Sequence, residues 1–126
     1  MKKNIIRIMT FALLLVTMFT LASCSFKTPT VDESKATLEA AGYTVEVMDG
    51  AAYCESEKNT FNLTSGELDK YLYAKKGDDE IYMFYFFSSS QAEFNSSFIN
   101  YPGLLSGQSN EMIYYATKQA RKDANL

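Results

Sequence analysis

Residues 68–87, LDKYLYAKKGDDEIYMFYFF, decide the fold. From Leu68 to Lys75 the chain alternates: Leu68, Leu72 and Ala74 fall on one side, with Lys70 an exception among them, and Tyr71 and Tyr73 on the other. Lys76-Gly77-Asp78-Asp79 then supplies turn chemistry, because Gly accepts positive φ and Asp bonds its own backbone. Glu80 to Phe87 returns with Ile81, Met83, Tyr85 and Phe87 on one face and Tyr82, Phe84 and Phe86 on the other. Two runs of period two around such a turn predict a β-hairpin. The second run is apolar on both faces, which predicts a central strand or one covered from two sides.

Upstream, Thr30-Val31-Asp32-Glu33 has the spacing of a capping box with Thr30 as N-cap. It predicts a helix to about Ala41, stopped by Gly42 in a left-handed conformation. Tyr43 to Met48 alternates as a half-buried strand, and Asp49-Gly50 reads as a turn. Ala51 to Lys58 predicts a short helix carrying Cys54, and Phe61 and Leu63 a short strand or loop edge. Downstream, Ser88–Ser90 breaks the hairpin's second strand. Ser90-Gln91-Ala92-Glu93 offers a second capping box, with Ser90 as N-cap and with Phe94 and Phe98 packing the helix on the sheet. Residues 100–110, NYPGLLSGQSN, read as loop, and Glu111 to Tyr115 as a last strand. A closing helix from about Thr117 aligns Ala116, Ala120 and Ala124, with Lys118, Arg121 and Lys122 complementing its dipole.

Strands and helices segregate rather than alternate. The expected fold is therefore a single two-layer α+β domain over residues 31–126, with a mostly antiparallel sheet of four to five strands and two to four helices.

The N-terminus reads differently. Lys2, Lys3 and Arg7 precede Ile8–Ala22, which carries no charge and is too short for a span of roughly 20 residues. That pattern predicts a signal peptide over 1–23, cleaved from the mature chain. Losing those three leaves nine of the twelve basic side chains against fifteen acidic ones, so the formal charge moves from −3 to −6. An acidic surface argues against nucleic acid and against polybasic docking to anionic lipid. With no His and only two Cys in the chain, a Ser-His-Asp triad, a His-containing metal site and a four-cysteine zinc site are excluded. Cys54 reads as a structural thiol. Asp78, Asp79 and Glu80 lack the alternating pattern of a calcium loop and read as solvated turn residues. No catalytic residue, metal or cofactor is assigned.

Leu21-Ala22-Ser23-Cys24 resembles the lipobox of bacterial lipoproteins, in which cleavage precedes the Cys and its sulfur carries a diacylglycerol. The resemblance implies lipidation at Cys24, a lipidated tether over 24–30, and a bilayer partner on the extracytoplasmic face of the cell membrane. Two acyl chains suffice for stable anchoring, since each buried CH2 contributes ~0.8 kcal/mol. Ser25, where Asp would imply inner-membrane retention, permits the outer membrane in a Gram-negative cell. LEAAGYTVEV (38–47) and YMFYFFSSSQAEF (82–94) are similar to segments of small Firmicutes-type lipoproteins, a likeness that brings no catalytic residues with it.

Nine Tyr and nine Phe carry the remaining signal. Tyr71, Tyr73, Tyr82 and Phe84 share one sheet face, and Tyr101, Tyr114 and Tyr115 extend it. Two readings stand open. Either helices cover both faces and these rings are core, or part of the face is exposed and binds an envelope protein, peptide or glycan. The expected role is a lipid-anchored, non-enzymatic binding domain. The alternative is a small carboxylate-dependent enzyme or an accessory subunit of an envelope enzyme.

Overall fold

The computed structural model describes residues 27–126. The signal segment 1–23, the lipidation site Cys24 and the first residues of the expected tether lie outside the described residues. Thr30 caps the first helix, α1 (Val31–Ala40), its hydroxyl accepting the Glu33 N–H at 3.2 Å. Gly42 takes φ +93° and turns the chain into β1 (Thr44–Asp49). No turn follows. Asp49 leads straight into α2 (Gly50–Glu55), because Gly50 brings its backbone against the start of β2 (Leu68–Lys76). Gly77 at φ +60° opens the two-residue turn to β3 (Asp79–Phe86), as a type II′ hairpin turn requires. Then come α3 (Ser89–Ser96), β4 (Leu105–Ser109), β5 (Met112–Ala116) and α4 (Lys118–Asp123).

The five strands form one antiparallel sheet in the order β1-β2-β3-β5-β4, with β3 in the middle as its two apolar faces predict. The α+β class and the antiparallel sheet are as expected. On one face Leu72, Ala74, Ile81, Met83 and Met112 meet Leu38 of α1 and Ala120 of α4. A buried bond between Ser34 and the Tyr85 hydroxyl, 3.0 Å, satisfies the polar atoms there. On the other face Tyr71, Phe84, Phe86 and Ile113 meet Tyr53 of α2, Ala92 of α3 and loop residues Leu63 and Ile99. Both faces are therefore covered, one cover more than a strict two-layer arrangement has.

Several expectations are corrected. Leu68 joins the Tyr71 face rather than that of Leu72, because a bulge between Leu68 and Lys70 shifts the register by one residue. Lys70 is thereby at the sheet's end, where it pairs with Asp49. Phe87 lies past the end of β3 and is 60% exposed. Ser88, not Ser90, caps α3, accepting the Gln91 N–H at 3.2 Å. The phase of that helix buries Ala92 and Asn95 and leaves Phe94 and Phe98 in solvent. Residues 105–109, expected as loop, form the edge strand β4. Its alternation is invisible in sequence because Gly107 is covered by Tyr114, whose hydroxyl would lie 2.4 Å and whose ring 2.5 Å from a Cβ at that position. The end of the tether is docked: Thr28 is buried, and its hydroxyl donates to the Ser109 carbonyl at 3.0 Å and accepts from Asn110 Nδ2 at 2.8 Å.

Candidate functional site

The register of the sheet sets Glu46, Tyr73, Tyr82 and Tyr115 side by side in one row across β1, β2, β3 and β5. Tyr71 and Phe84 form the next pair on that face. Onto this row Tyr101, from the loop after α3, lays its ring flat against Tyr82, centroids 4.1 Å apart and 18° from parallel. Tyr73 packs on Tyr82 from the other side at 4.8 Å. Beneath them Tyr53 of α2 stacks on Tyr71 at 4.4 Å, and Phe84 meets both edge-on or tilted. Such contacts favour offset and T-shaped geometry and add to simple burial.

Of the seven aromatic residues expected to share a binding surface, six are on this face and they divide by depth. Tyr71, Phe84 and Tyr115 are buried and form an aromatic floor layer, of which Tyr71 lines the groove itself. Tyr73, Tyr82 and Tyr101 are half-buried and make the wall of an open groove of about 410 Å³, completed by Glu46, Lys58 and Thr60. Tyr114 is the correction. Strand alternation turns it to the opposite face, where it packs against the α1–α4 core and covers Gly107. A second hollow of about 460 Å³, lined by Thr44, Lys75 and Gly77, shares Glu46 and Tyr73 with the first, so the groove continues along the β1 side of the sheet.

The polar groups of the groove are held in place. Glu80 Oε2 accepts from the Tyr73 hydroxyl at 3.1 Å and from that of Tyr82 at 3.5 Å. Lys58 pairs with Glu46 at the mouth. Burial, aided by Glu80, pushes the Tyr73 hydroxyl up to about 12 and raises that of Tyr82. Burial pushes Tyr53 up to about 12 and carries Tyr71 and Tyr101 further in the same direction. At neutral pH the groove therefore presents uncharged phenols able to donate and accept hydrogen bonds.

Glu46, Lys58 and Thr60 were not singled out from sequence. Glu46 was legible in principle, since alternation places it opposite Val45 and Val47. Lys58 and Thr60 lie in an irregular segment without periodicity, and only the folded loop brings them to the groove. The acidic trio is dispersed: Asp78 is exposed in the turn, Asp79 accepts from Thr117 Oγ1 at 3.0 Å, and Glu80 serves the tyrosines. Burial and the neighbouring Glu55 raise the Cys54 thiol, which opposes a nucleophilic thiolate. Among the described residues no group of three or more His, Cys, Asp or Glu could hold a metal ion, and no helix is long and apolar enough to cross a membrane.

No protein-family model, curated protein or solved structure matches the chain.

Proposed function

We propose that this chain is an extracytoplasmic binding module, anchored to a membrane through a diacylglycerol on Cys24, whose tyrosine groove takes an envelope glycan. The observation that carries the reading is the Tyr82–Tyr101 stack beside Tyr73, left half-open in a groove that also holds a carboxylate and an ammonium group. A sugar ring offers an apolar C–H face to stack on phenols and hydroxyls to meet Glu46, Lys58 and Glu80. The hollow that extends the groove past Tyr73 suits an elongated chain of rings.

The two halves of the proposal are tested separately. Replacing Cys24 with Ala should abolish lipid labelling and release the protein from membranes; retained labelling overturns the anchor. Titrating the protein with a soluble N-acetylglucosamine oligomer should move the amide resonances of Tyr73, Tyr82, Tyr101 and Lys58, and Tyr101→Ala should remove the effect while the remaining spectrum stays dispersed. Shifts absent or scattered over the surface overturn the glycan.

A further inference from the structure

We propose that the end of the sheet bearing Phe87, together with Phe94 and Phe98, rests on the surface of the bilayer that holds Cys24. The inference extends the anchor proposed above and depends on it. Three observations converge. The first is the place where the tether docks. Thr28 is bonded to Ser109 and Asn110, at the β4–β5 turn, and Gln108 of that hairpin reaches both Asn110 and the carbonyl of Ser89 at the start of α3. At the same end the Phe86 N–H donates to Glu111, so β3 leaves the sheet here and Phe87 follows.

The second is reach. Four residue steps separate Cys24 from Thr28, at most ~14 Å of fully extended chain. The eight residues of β3 span ~27 Å. A lipid on Cys24 therefore holds Thr28 within ~14 Å of the headgroups while it stays docked, which excludes a domain standing upright on the far turn of Gly77 and Asp78 with Thr28 ~27 Å away. The end that carries Thr28 must lie near them.

The third is what that region exposes. Phe87, Phe94 and Phe98 are 60%, 61% and 57% exposed, the three most exposed of the large apolar side chains among the described residues. Phe94 and Phe98 touch, with ring centroids 5.1 Å apart. Glu67 ties the three together: its carbonyl accepts the Phe87 N–H at 3.0 Å, and its side chain lines the same hollow as Phe94 and Phe98. Phe is among the residues that enter the boundary between headgroups and acyl chains. The carboxylates of Glu67 and Glu93 near the patch oppose anionic lipid, so the contact is apolar, and zwitterionic headgroups suit it. On this geometry the tyrosine groove opens on the side of the domain rather than toward the bilayer.

The chain has no Trp, which makes single-Trp variants clean reporters. Lipidated mature protein carrying Phe94→Trp, Phe98→Trp or, as a control in the far turn, Asp78→Trp would be reconstituted in zwitterionic vesicles containing brominated phosphatidylcholine. All three should float with the vesicles. Quenching at positions 94 and 98 should exceed that at 78 by about twofold or more, at low and at high salt. Flotation with equal or absent quenching overturns the docking and leaves the anchor standing, the result expected if these rings meet a protein partner instead. Failure to float overturns both.

Discussion

A methyl group at position 50 would lie 1.8 Å from the carbonyl oxygen of Leu68, deep inside contact distance and against backbone that cannot rotate away. Gly50 is buried, and it is what lets α2 follow β1 without a turn and deliver Tyr53 to the aromatic floor. Gly50→Ala should therefore cost about 3 kcal/mol or more, at the top of the range for overpacking. Gly66→Ala meets nothing within 4 Å and should change stability by about 1 kcal/mol or less. Urea denaturation of the two variants checks the difference, and matching midpoints would contradict the role given to Gly50. In sequence Asp49-Gly50 carries the same signature as an ordinary turn. Only the partner backbone, eighteen residues away in the chain, shows that the glycine serves a close approach.

Among the elements, α3 shows how one residue of phase changes a face. Two serines in the run Ser88-Ser89-Ser90 have a capping partner three residues on, Gln91 for Ser88 and Glu93 for Ser90, and either fits the pattern. The chain uses Ser88, which rotates Phe94 outward and puts Ala92 and Asn95 on the sheet, Asn95 reaching Glu67 at 3.0 Å. Ser88→Ala should destabilise the domain by about 1 kcal/mol, while Ser90→Ala stays within about 0.5 kcal/mol. Thermal melts of the pair decide it; a larger loss at Ser90 would restore the other phase. The same kind of shift moved Leu68 across the sheet, through a bulge whose one trace in the sequence is Lys70 interrupting the apolar side of β2. Where alternation ran unbroken, as in β3 and from Leu72 onward in β2, the faces were legible residue by residue. Where a strand relies on backbone pairing and a neighbouring ring, as β4 relies on Tyr114 over Gly107, periodicity had nothing to report.

At the scale of the whole molecule the tyrosines act together, and their titration tests the site and the core at once. Six of the seven residues expected to form the aromatic surface lie on one face: strand period puts Tyr71, Tyr73, Tyr82, Phe84 and Tyr115 there, and the loop after α3 brings Tyr101. Their division into floor and wall was not legible, since it depends on α2 and on the loops around Lys58 and Tyr101. The division has a consequence in alkali. Tyr53, Tyr73 and Tyr85 are each pushed up to about 12, burial being the first cause in every case. The folded chain thus keeps protons that an open chain would release near pH 10. Stability contributed by these groups is fully present below pH 10 and is lost as pH rises toward 12, Tyr85 alone accounting for on the order of 2 kcal/mol. At the acid end Asp123 has the opposite sign. The Tyr43 hydroxyl, bonded at 2.8 Å, and then Gln119 hold its carboxyl below the ordinary range, so its contribution is present above that range and fades as pH falls through the lowered value. The ionisation of Tyr53, Tyr73 and Tyr85, read by tyrosinate absorbance, should therefore come well above pH 10 and together with the change in far-ultraviolet circular dichroism, because it has to wait for their surroundings to open. Gradual ionisation near pH 10 with the circular dichroism unchanged would mean that the rings are already open to water. In that case the groove would lack the rigid floor on which Tyr82 and Tyr101 are held for a ligand.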